Sequence, residues 1–168
     1  MDTEKIMERT LDNWAEELNA DMKVDKYELD DECARQACVY TKWALLSALA
    51  SKERDWRQKE LDELNAILDN EIRTDPGKFG ISDIKENAVK SVIAKDPGIM
   101  GLKADVIEAT AYAKFFNSAT SACDQKKTML RMLGDLWISE YYSDVQIKKG
   151  EGEERLRERM KTRKTGRK

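Results

Sequence analysis

The sequence contains no histidine. That removes the commonest general base, the commonest metal ligand and the usual partner of a catalytic nucleophile. Two prolines and eight glycines in 168 residues leave few places for turns, which favours a small number of long elements. No apolar run is long enough to cross a bilayer, and no signal-peptide pattern opens the chain. Cys33, Cys38 and Cys123 form no metal or redox motif, and an odd, unpatterned set argues against a secreted disulfide framework. These cysteines are expected as small apolar packing residues in a reducing, cytoplasmic setting. There is no glycine-rich phosphate loop, and the plentiful carboxylates show no ligand spacing. The residues therefore propose no enzyme, cofactor or metal.

What is present is charge and periodicity. Charged residues make up 38% of the chain and hydrophobic ones 40%, a mixture that suits long helices with one packed stripe and solvated remaining faces. The expected fold is all-α. A net charge of −3 conceals a strong asymmetry. Residues 1–32 hold twelve acidic and four basic side chains, whereas residues 146–168 hold ten basic and four acidic ones. The last ten residues, RMKTRKTGRK, carry six positive charges and no negative one.

Asp2 and Thr3 are candidate caps for a first, acidic helix to about Asp21, with Ile6, Met7, Leu11, Trp14 and Leu18 on one face. After a break over MKVDKYELDD, a stretch free of glycine and proline from about Asp30 to Thr74 predicts a helix about 65 Å long. Ala34, Ala37, Cys38, Leu45, Ala48 and Leu49 make an apolar face near its start, and Leu61, Leu64, Ile67, Leu68 and Ile72 another near its end. Between them lies SKERDWRQKE, where Trp56 is the one large apolar residue. DPGKFG breaks the chain. Ser82 then caps a short helix to about Lys95, carrying Ile84, Ala88, Val92 and Ile93. Asp96-Pro97 opens a last long helix to about Tyr142. Its seam steps by threes and fours through Leu102, Val106, Ala109, Ala113, Phe116, Cys123, Leu130, Trp137 and Tyr141, with Thr120, Lys127 and Gly134 in the same stripe. The architecture expected is two long antiparallel helices joined through a short one, plus the acidic helix in front. So thin a core predicts a homo-oligomer. The divisions expected are 1–28, 29–145 and a basic tail at 146–168.

Three basic groups are candidate sites. Lys42, Trp43, Lys52, Arg54, Trp56, Arg57 and Lys59 interleave cations with indoles, which suits a phosphate backbone and a stacked base. Acidic Glu53, Asp55 and Glu60 support instead a solvated face of i,i+4 pairs. Lys126, Lys127 and Arg131 form a second group, with Lys127 expected to snorkel from the seam. The third is the tail, with Arg159, Lys161, Arg163, Lys164, Arg167 and Lys168. It suits salt-sensitive phosphate contact or an embrace with the acidic first helix.

VYTKWALL, LNAILD and VKSVIAKDPGI bring a family into view. Over roughly residues 30–145 the chain resembles the phage recombination mediators of the UvsY type. The resemblance rests on Tyr40, Lys42 and Trp43, on Leu64, Ala66, Leu68 and Asp69, and on Lys90, Ser91, Val92 and Ile93. It implies a non-enzymatic α-helical oligomer that binds single-stranded DNA in recombination and repair. Its implied partners are a recombinase and a single-strand-binding protein, in the host cytoplasm. Where that family carries a lysine and an arginine inside its leucine patch, this chain has Asn65 and Ile67. Arg73, Lys78, Lys85 and Lys90 lie nearby as candidate replacements. The alternative reading is a helical scaffolding oligomer of a phage whose basic tail docks an acidic protein partner.

Overall fold

The computed structural model describes residues 6–81 and 84–139. These residues form helices and connections, with no strand among them. Helix α1 spans Leu11–Met22, α2 Leu29–Thr74, α3 Glu86–Lys95 and α4 Pro97–Ile138, with a 3-10 turn at Pro76–Phe79 between α2 and α3.

The boundaries follow local chemistry. The Thr10 hydroxyl accepts from the Asn13 amide and caps α1. Ile6 and Met7 are helical, but a turn over Glu8 and Arg9 separates them from α1. The first helix is thus not the single run expected, because Thr10 restarts it; Asp2 and Thr3 lie outside the described residues. At α2 the acidic side chains of Asp30, Asp31 and Glu32 occupy the first turn and Arg73 the last, each of favourable sign for the helix dipole. Asp75 accepts from the Lys78 amide to start the 3-10 turn, which closes at Gly80 with φ of 70°, a conformation glycine adopts without strain. The start of α3 departs from expectation. Lys85 is extended and helix begins at Glu86, while Ser82 and Asp83 lie outside the described residues. At α4 the Asp96 carboxylate accepts from the amides of Gly98 (2.9 Å) and Ile99 (3.1 Å), with Pro97 in the first turn.

The contacts between α2 and α4 run in opposite order. Glu32 meets Lys126, Gln36 donates to the Cys123 carbonyl (2.7 Å), Trp43 packs on Phe115 and Phe116, and Leu64 sits against Gly98. Each step along α2 is a step back along α4. A Cβ on Gly98 would lie 3.3 Å from Leu64 Cδ2, so the missing side chain lets the first turn of α4 approach α2 closely.

The main core is aromatic and sits toward one end. Trp14, Trp43 and Phe116 meet with ring centroids 5.3–6.2 Å apart, joined by Ile6, Leu46, Ala50, Tyr112, Ala113, Ala119 and Cys123. Helix α1 is thus built into the core of the long helices rather than standing in front of them. The buried Trp14 indole donates to the Ile6 carbonyl, and the Tyr112 hydroxyl donates to the Arg9 carbonyl. At the other end Ile72, Val89 and Ile99, from α2, α3 and α4, are each fully buried.

Several side chains are placed otherwise than their spacing suggests. Ala34, Ala37, Cys38, Leu45 and Ala48, expected as the packing face of α2, are exposed; Gln36, Trp43, Leu46 and Ala50 face inward instead. Leu46 on the inward face matches Leu45 on the outer one, and burying an indole beside it removes more apolar area than burying small alanines and a cysteine, so Trp43 decides which way the helix turns. Cys33 is exposed as well, and only Cys123 of the three cysteines packs inside. On α3 the buried position is Val89, while Ile84 is half-exposed before the helix. On α4 Lys127 and Trp137 are exposed, whereas Lys126 is buried.

Candidate nucleic-acid interface

A phosphate track requires cations that are exposed and not already neutralised. On the helical body few of the predicted residues meet both conditions. Lys42 lies on α2 beside Trp43, its Nζ 2.6 Å from Asp21 Oδ2, 2.7 Å from Glu17 Oε1 and 4.7 Å from the Trp43 ring centre. Burial opposes charge on both Lys42 and Glu17, but the hydrogen bonds of Lys42 to Asp21 and Glu17, and those of Lys42 and Arg9 to Glu17, outweigh it. The lysine is held above its ordinary pKa and the carboxyl below. Trp43 also donates to Asp21 (3.0 Å), so this indole and its neighbouring ammonium fasten α2 to α1.

In the middle of α2 the charges form a ladder. Arg57 reaches back to Glu53 (3.0 Å) and forward to Glu60 (3.2 Å), and although burial pulls its pKa down, the two carboxylates raise it. Glu53 also lines the crevice between Met7, Ala50 and Tyr112 at the edge of the aromatic core. Arg54 pairs with Asp55 (2.7 Å) and Lys59 with Glu63 (3.5 Å). Trp56 is 53% exposed, donates to Glu60 (2.9 Å), and has Lys59 Nζ 5.4 Å from its ring centre. Lys52 is exposed and makes no ion pair among the described residues. Between residues 52 and 63 four cations face five carboxylates, a poor field for a polyanion.

The replacements proposed near the leucine patch divide in the same way. Arg73 binds Asp69 (2.7 Å) on its own helix and Glu86 (2.9 Å) on α3, and these hydrogen bonds raise its pKa. Lys90 shares Glu86 at 3.5 Å. Lys78 is exposed in the 3-10 turn with its Nζ 5.6 Å from the Phe79 ring centre, and Lys85 is exposed immediately before α3. Arg73 therefore stitches α2 to α3, while Lys90 pairs within α3.

On α4 the candidates separate. Arg131 is exposed. Lys126 is only 5% exposed, and its ammonium binds the Asp21 carbonyl (2.8 Å), the Lys23 carbonyl (3.0 Å) and Glu32 Oε2 (2.8 Å). All three acceptors are internal, so this lysine is a structural tie and presents nothing to a phosphate. Spacing alone did not reveal it, because its acceptors end α1 and begin α2, about a hundred residues away in the chain. Arg159, Lys161, Arg163, Lys164, Arg167 and Lys168 lie outside the described residues.

Among the described residues no three metal-binding side chains gather to hold an ion, and no helix is long and apolar enough to cross a membrane. No protein-family model, no curated protein and no solved structure matches this chain.

Proposed function

We propose that this protein is a non-enzymatic, single-stranded-DNA-binding recombination mediator whose DNA contact is carried by its basic carboxy-terminal stretch. One observation carries the placement. Most of the basic residues that the sequence singled out on the helical body are held by carboxylates, whereas residues 159–168 offer six cations without a single acidic group. The short patches resembling the UvsY-type mediators supply the biological setting, with a recombinase and a single-strand-binding protein as partners. Distributed phosphate contacts suit a protein that must hold single strands of any sequence and then release them. An oligomer multiplies such weak contacts through effective concentration.

The test is fluorescence anisotropy with labelled single-stranded and duplex oligonucleotides across a salt series. The wild type is compared with a full-length variant in which the six terminal cations are replaced by glutamine. Expected are preference for single strands, at least tenfold weaker binding by the variant, and a salt slope shallower by up to about 4, at roughly 0.7 per phosphate contact. Equal binding by both proteins moves the contact back to the helices. No binding at low salt overturns the reading in favour of a scaffolding oligomer whose tail docks an acidic protein. The exposed, heptad-spaced face of α2 favours that second reading.

A further inference from the structure

Helix α2 has a second ordered face. Opposite the one that buries Trp43, Leu46 and Leu61, the positions Ala48, Lys52, Asp55, Lys59, Asp62 and Ala66 recur in steps of four and three, and every one is exposed. This is the spacing of a helix-pairing seam, on a helix about 69 Å long. No element described in the chain covers it.

The order of charges on this face is its own complement. Turned end to end about residue 57, Lys52 falls opposite Asp62, Asp55 opposite Lys59, and Ala48 opposite Ala66. We infer that a second copy of this chain docks here, its α2 antiparallel to the first about a two-fold axis beside residue 57. Two-fold symmetry repeats each pair, giving four interchain ion pairs and two close alanine contacts. The parallel, in-register alternative sets lysine on lysine and aspartate on aspartate, so the charges select direction and register together.

The single chain leaves these groups free to take new partners. Lys52 has no ion pair among the described residues, Lys59 has one loose exposed contact with Glu63 at 3.5 Å, and Asp62 accepts only from Gln58. Asp55 accepts both of its Arg54 contacts at one carboxylate oxygen, Oδ1 (2.9 and 2.7 Å). Trp56 lies one residue from the axis, and in an antiparallel pair both copies place it on the same flank. The two indoles then cover each other, which accounts for an exposed tryptophan in a polar stretch. This inference does not rest on the DNA reading, since loss of nucleic-acid binding leaves the pairing intact.

The experiment is sedimentation equilibrium of the full chain over a dilution series, with circular dichroism as the check on folding. The wild type should show a mass above the 19.3 kDa of one chain that falls on dilution. Lys52→Glu with Lys59→Glu turns all four pairs repulsive and should weaken association at least tenfold. Adding Asp55→Lys and Asp62→Lys restores opposite signs at every pair and should restore the association. A single-chain mass at the highest concentration overturns the inference. So does a double variant that associates like the wild type, or a quadruple variant that stays as weak as the double.

Discussion

Lys126 and Lys127 are neighbours with opposite fates. A strict alternation of threes and fours selects Lys127 for the seam, yet Lys126 is the buried one. The reason is local supply of acceptors. The end of α1 offers two carbonyls, and Glu32 offers a carboxylate whose side chain is itself largely enclosed. An ammonium enters such a place only with its donors satisfied. Lys126→Met should therefore cost about 3 kcal/mol, since it strands a buried carboxylate and two carbonyls. Urea denaturation measures it, and a loss below about 1 kcal/mol would mean that water replaces the ammonium freely. Glutamine at position 36 shows the same logic half-completed: its amide nitrogen serves the Cys123 carbonyl, while its buried oxygen has no partner among the described residues.

At the scale of elements, local chemistry sets most boundaries. Asp75-Pro76 and Asp96-Pro97 end one helix and begin the next, because aspartate accepts the free amides and proline needs no acceptor for its own nitrogen. Replacing Asp96 by alanine removes both amide contacts at the start of α4 and should cost about 1 kcal/mol. For a chain of this size the melting temperature should fall by roughly 2–4 °C. Asparagine at the same position should recover most of the loss, and an unchanged melting temperature in the alanine variant would show that the cap contributes nothing. The middle of α2 is an element of another kind. Its inward side carries the Glu53–Arg57–Glu60 ladder instead of apolar side chains, so it contributes charge pairing where the ends contribute burial.

Across the whole molecule, burial is unequal. The aromatic core binds α1, α2 and α4 together at one end, whereas α3 contributes a single fully buried side chain at the other. Opening free energy follows buried contact, so amide exchange should be slowest at residues 43–50 and 112–123 and markedly faster in α3. Native-state hydrogen exchange read by mass spectrometry checks this order, and equal protection of α3 would contradict it. Electrostatics is also a whole-molecule property here. The carboxylates that neutralise Lys42 come from α1, and one of the two on Arg73 comes from α3, which no local cluster of residues in the sequence announces; the partners of Arg57 lie within a turn of it.

By itself the sequence determined the all-helical character, the two long helices and the ends of most elements, because these depend on spacing, on proline and glycine, and on side chains within one turn. It also showed the charge asymmetry and the absence of histidine, which are matters of composition. Only the tertiary structure decided which face of α2 turns inward. Both faces repeat with helical spacing, and the choice rests on the area buried when Trp43 meets Trp14 and Phe116. The same holds for the basic residues. Whether a lysine is a ligand for phosphate or a tie between helices depends on acceptors brought near it by the fold, as at Lys126 and Lys42. Local pattern reads chemistry within a turn or two; partners a hundred residues apart are set by packing.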